Sequence, residues 1–235
     1  MASQRISPQE ARQRLEQLTK QAEPKLAQKL IALAKWIENK KDGLLMSKPY
    51  VLDLLTEVIL DVQLWLALNS ISPQQRQYFY ESENFSVTER YWFDVLFPRW
   101  INDQDPKFPS WKREVMNGNF KREDEEILKN IFRELTKRGG TCLWRHLLDL
   151  SMATDLLTSG QCDKSLCVQL TTISEIHLKD KQEGWENTLE YWQIKRGLLI
   201  SYNPRQNSLV PRIVTVILTH SDQATTSGYN VITNL

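Results

Sequence analysis

At Gly139-Gly140 the chain changes its hydrophobic period, and only a mixed fold accommodates both sides of that change. Upstream, apolar residues recur every three or four positions: Ala11, Leu15 and Leu18, then Leu26, Leu30, Leu33, Ala34 and Ile37, then Ile127, Leu128, Ile131, Phe132 and Leu135. That spacing lines one face of an α-helix. Downstream, short β-compatible runs cover Cys142–Leu150, Ala153–Thr158, Leu166–Thr172, Gly197–Tyr202 and Arg212–Thr219, with a helix over Asp180–Arg196 between the third and fourth. The expectation is an α+β protein with an α/β core: a helical N-terminal region over residues 1–110, then a domain over residues 111–235 built on a mixed β-sheet flanked by helices.

Local signals punctuate the helical part. Ser7 is a cap for a helix starting at about residue 8, with Pro8 at the first position and Glu10 completing a capping box. Pro24 kinks or restarts the next helix, and Asp42-Gly43 ends the pair. A third helix runs from about Pro49 to Asn69, and the aromatic stretch from Tyr78 to Trp100 reads mostly as core. Residues 102–110 read as a surface loop, Arg122–Arg138 as a charged amphipathic helix stopped by the two glycines, and residues 221–228 as a turn or loose tail.

Composition narrows the partners. Lys+Arg number 30 against Asp+Glu 29, a net charge of +1, so any nucleic-acid contact must come from a local patch. Cys142, Cys162 and Cys167 follow no disulfide spacing and the N-terminus has no apolar signal core, which points to a reducing, cytoplasmic setting. The apolar window Val51–Leu68 carries Asp53, Glu57 and Asp61 at four-residue spacing, a charged stripe that argues against a membrane span.

Residues 152–171 form two short apolar runs joined by a polar turn, with Asp155 on the first and Gln169 on the second. Strand alternation puts Gln169 and Thr171 on one face and Leu170 on the other, with Asp155 as their neighbour across the hairpin. With the helix, strand, strand, strand, helix, strand order around it, this arrangement resembles the PD-(D/E)XK superfamily of restriction-endonuclease-like nucleases over about residues 123–219. Thr154-Asp155 stands at the Pro-Asp position, and Gln169-Leu170-Thr171 stands at the (D/E)XK position. The resemblance implies phosphodiester cleavage in DNA assisted by Mg²⁺, with Asp155 and Gln169 as metal ligands and a restriction-endonuclease-like sheet.

The departures are specific. Gln169 can offer a metal an oxygen but no negative charge, and Thr171 replaces a lysine with a group that carries no positive charge. Such lysines migrate to the following helix in the superfamily, which nominates Lys179 or Lys181, and an additional acid from the first core helix nominates Glu126 or Glu134. Lys195, Arg196 and Arg205 lie near the fourth strand, and Lys112-Arg113 is one of several basic pairs; the others include Lys121-Arg122, with Phe120 nearby for stacking. Cys142 with His146 and Cys162 with Cys167 lack a repeated CxxC or HExxH, so zinc is a weak reading. The lost lysine and the neutral glutamine leave a second reading open: a module of the same fold without catalysis, binding nucleic acid or a protein partner in a larger complex. A protein partner or a homodimer through the N-terminal helices is part of the expectation.

Overall fold

The computed structural model describes residues 5–118, 125–162, 164–173, 175–223, 227–233 and 235, and only the backbone of Glu175 and Ile176. The chain divides into two compact units, residues 1–84 with 97–121, and residues 85–96 with 122–235. The architecture is mixed α+β, a helical N-terminal region followed by a five-stranded mixed sheet flanked by helices.

The first unit contains α1 (Pro8–Gln21), α2 (Pro24–Glu38), α3 (Asp42–Met46), α4 (Pro49–Asn69), α5 (Pro73–Ser82), α7 (Phe97–Asn102) and α8 (Phe108–Asn117). Proline opens α1, α2, α4 and α5, where its missing N–H costs nothing. Ser7 accepts from the Glu10 amide, but Glu10 pairs with Arg14 on the next turn instead of closing a capping box. Asp42-Gly43 does not end the helical pair; it begins α3. The expected loop over 102–110 is shorter, because Phe108 already starts α8. On the charged stripe of α4, Asp53 is held by Arg5 at 2.6 and 2.8 Å and Asp61 is buried. Among the described residues no helix is long and apolar enough to cross a membrane.

The second unit begins with α6 (Val87–Tyr91) and a π-helical turn (Trp92–Leu96), then runs α9 (Glu125–Lys137), β1 (Thr141–Leu143), α10 (His146–Met152), β2 (Leu156–Ser159), β3 (Leu166–Thr171), α11 (Glu175–Tyr191), β4 (Arg196–Ser201), α12 (Leu209–Asp222) and β5 (Gly228–Ile232). Gly139 takes a left-handed φ of 81° at the end of α9, and Gly140 donates back to Leu135 at 3.0 Å, so the two glycines stop the helix as their pattern predicts. Two expected strands are corrected. Cys142–Leu150 yields only a three-residue strand before α10 begins, and Arg212–Thr219 is helical throughout. Its β-branched residues suggested a strand, yet Leu209, Ile213 and Ile217 recur every four residues and are all buried, and that helical period wins. Phe132, placed on the buried face of α9, is 42% exposed.

The sheet order is β1-β2-β3-β4-β5, antiparallel through β1, β2 and β3 and parallel through β3, β4 and β5. Every residue of β3 and β4 is buried, so both faces need covering. On one face Leu156, Val168, Leu170, Leu198 and Ile200 pack with α9 and α12. On the other, Gly197 lies under Trp185 and Leu189 of α11. The strands advance in one direction while α11 and α12 cover opposite faces, so the two crossovers have opposite hands and one departs from the near-universal right hand. This arrangement leaves α11 as the crossover helix over the face that carries Asp155 and Gln169.

Gly197 marks where α11 sits closest. A Cβ at this position would overlap Leu189 Cδ1 and come within 2.8 Å of Trp185 Cζ2. Gly197→Ala is expected to lower unfolding free energy by about 1–3 kcal/mol through overpacking, measured by urea denaturation.

Candidate functional site

The site lies where β2 begins and β3 ends. α10 terminates through Ala153, a non-glycine residue at φ 48° and ψ 49°, and Thr154 donates back to Leu148 at 3.0 Å. This sharp exit delivers Asp155 to the start of β2, with its N–H on Val168 O at 2.9 Å. Asp155 Oδ2 then accepts two hydrogen bonds from β3, from the Leu170 amide at 2.6 Å and from Gln169 Nε2 at 2.7 Å. Val168 and Leu170 belong to the core on the α9–α12 face, so Gln169 between them faces the α11 side, as alternation predicts.

Two charges act on this carboxyl. Burial is the largest influence and pushes the Asp155 pKa up, the negative charge of Asp149 pushes it further, and the Leu170 amide, Lys181 and Gln169 pull it back, leaving it at about 8. That value favours the protonated carboxyl at neutral pH, while both N–H donors occupy Oδ2. Lys181 falls on the sheet-facing stripe of α11, four residues before the buried Trp185, whereas Lys179 is exposed. The structure thus distinguishes the two candidate lysines and brings Lys181 to bear on Asp155.

The sequence pattern does not single out Asp149. Its segment, His146-Leu-Leu-Asp-Leu-Ser-Met152, reads as a strand from its apolar content, whereas its helical form carries a second acid whose charge acts on Asp155. Glu134 does not join the site: it belongs to α9, on the opposite face of the sheet, and pairs with Arg138 at 2.8 Å. Glu126 is exposed on the same helix. Thr171 ends β3 with its hydroxyl accepting from the Ile173 amide at 3.2 Å, so the residue at the lysine position serves the turn.

The basic candidates separate in the same way. Arg196 is not available for nucleic acid. It is 8% exposed, and its guanidinium donates to the carbonyls of His220 at 2.7 Å, Ser221 at 3.0 Å and Lys164 at 3.2 Å, a clamp at the edge of the sheet away from Asp155. Burial lowers its pKa, and the charges of Cys162 and Asp222 oppose that shift. Lys195 is exposed at that same far edge. Arg205 is exposed in the turn after β4, at the edge that holds Asp155 and Thr171. Lys112 and Arg113 are on α8 in the first unit, where Lys112 Nζ lies 4.2 Å from the Phe108 ring centroid. Phe120, Lys121 and Arg122 lie outside the described residues.

The donor set can be tested against a metal. Among the described residues no three His, Cys, Asp or Glu side chains gather as a metal group. That leaves Cys142 and His146 without a zinc set, and burial raises the Cys142 thiol pKa, which disfavours the thiolate that zinc requires. Mg²⁺ has lower demands on protein: it keeps several waters and uses one or two carboxylates. Asp155 brings one carboxyl group toward that demand, Gln169 turns its amide nitrogen to it, and Asp149 acts on it by charge. No protein-family model, curated protein or solved structure matches the chain.

Two measurements follow. An acid whose pKa is raised on folding binds more protons folded than unfolded between about pH 4 and its folded pKa, so it removes stability as pH rises through that window. Asp155→Asn should therefore match the parent near pH 4 and become progressively more stable than it up to about pH 8, in urea denaturation across that range. Arg196→Met should lose about 2–3 kcal/mol at any pH in the same assay, because three carbonyls lose a charged donor.

Proposed function

We propose that this protein is a divergent metal-dependent nuclease of the PD-(D/E)XK kind that hydrolyses phosphodiester bonds in DNA. The observation that carries the reading is the contact of Asp155 with Gln169 across β2 and β3, with the positive charge of Lys181 acting on the same carboxyl. In open sheets, ligands bind outside the carboxyl ends of parallel strands, and β3 and β4 both end beside this pair. Asp155 and the Gln169 carbonyl are the residues that would hold Mg²⁺, with Asp149 adding negative charge.

Bound there, the ion would neutralise a phosphate and acidify a water. The chain's own contribution is placement. The Leu170 amide fixes Asp155 Oδ2, and Gln169 is oriented by that oxygen. Lys181 supplies the cation that Thr171 cannot, with ammonium protons to offer a phosphate oxygen. Arg205, exposed at the same edge, is suited to a backbone phosphate that positions the strand.

The second reading, a module of this fold that binds without cutting, is favoured by the proton retained on Asp155 and by the turn role of the Thr171 hydroxyl. Cleavage of plasmid and single-stranded DNA separates the two. With Mg²⁺ present, Asp155→Ala and Lys181→Met are expected to lose activity by about 10²–10³-fold, while Lys179→Met cuts like the parent. Equal, metal-independent background in all four proteins would leave only the binding reading.

A further inference from the structure

The first unit holds a cavity of about 440 Å³ between one stripe of α2 and the α7–α8 connection. Lys25, Gln28, Lys29 and Ala32 form its α2 wall, at the spacing that places four side chains on one helical face. Asn102, Asp103 and Phe108 lie opposite. Volumes of a few hundred Å³ are typical of small-molecule sites, and charged and amide side chains make up more than half of this lining.

Lys29 is the informative residue. It is half-buried, and its ammonium donates to the Asp103 carbonyl at 2.7 Å and lies 5.2 Å from the centroid of Trp100. Trp100 is itself held by a stacked contact with Phe97, at 5.7 Å and 18°. The cation is thus anchored through a neutral oxygen and a ring, and retains donors of its own. Burial lowers its pKa, opposed by the more distant charges of Asp105 and Asp103. Asp105 is committed elsewhere, to the Lys107 amide at 2.9 Å and Trp111 Nε1 at 3.1 Å. Lys25, one turn before Lys29, is exposed at the rim.

We infer that this cavity binds a mononucleotide unit, with its phosphate toward Lys25 and Lys29, its ring against Phe108 and its polar ring edge toward Gln28 and Asn102. Two lysines on one wall, an aromatic ring and two amides meet the three chemical parts of such a ligand. Asp103 and Asp105 in the same lining disfavour a longer run of negative charge, which selects a single phosphate over a polyphosphate. The unit can be a free nucleotide or the 5′-phosphorylated end of a strand. The site stands independently of the nuclease reading.

Calorimetric titration of the full chain in EDTA tests the inference with 5′-AMP, a 5′-phosphorylated oligonucleotide, adenosine and inorganic phosphate. Saturable one-to-one binding of AMP identifies the free nucleotide, and binding of the oligonucleotide alone identifies the strand end. In either case Lys25→Ala and Lys29→Met should weaken binding at least about tenfold, the energy of one lost charged contact. Lys25 is exposed, so its variant reports on binding even if Lys29→Met impairs folding. Three results would overturn the site: neither ligand saturating at millimolar concentration, affinity unchanged in Lys25→Ala, or phosphate or adenosine binding as tightly as the best nucleotide ligand.

Discussion

Burial of β3 on both faces and pairing along both edges is the constraint from which the second unit follows. A strand in that position exposes no polar group to water, so every N–H, carbonyl and side chain on it needs a partner inside the protein. Five of its six residues meet this condition with apolar or small side chains. Gln169 does not, and its amide must be answered locally. Asp155 answers it, and the same oxygen takes the Leu170 amide. A pair that looks like chemistry is therefore also what permits a long polar side chain at the centre of a buried sheet.

That double duty has an electrostatic cost which the protein meets with a proton. A fully charged carboxylate at this depth beside Asp149 would be strongly penalised, and one lysine on the same face only partly compensates. Retaining a proton is the least costly state for the isolated chain, and a bound dication is the alternative that would release it. Burial and the neighbouring acid thus act together on one carboxyl, against two N–H donors and a lysine.

Much of this arrangement was legible from residues alone, for identifiable reasons. The α4 limits followed from Pro49 and Asn69, and the β2–β3 hairpin from alternation about a polar turn. The Asp155–Gln169 contact followed from register. The two misread helices differ in cause. His146–Met152 is only seven residues long and nearly all buried, too short to reveal a helical period, while in Leu209–Asp222 the β-branched content outweighs a four-residue period that is present. Asp149 was lost with the first of them. Arg196 was misjudged for a different reason: sequence registers a charge but not its burial, and five backbone carbonyls can occupy a guanidinium as completely as a phosphate would.

The guanidinium of Arg196 reaches back 32 residues to Lys164 and forward 27 to Gln223. It closes the C-terminal end of α12, where a positive charge suits the helix dipole, and braces the chain entering β3. One side chain therefore links three segments that meet only after two crossovers have formed. Such a lock cannot engage early in folding. It ties the end of α12 to the entry of β3 through a single side chain of β4.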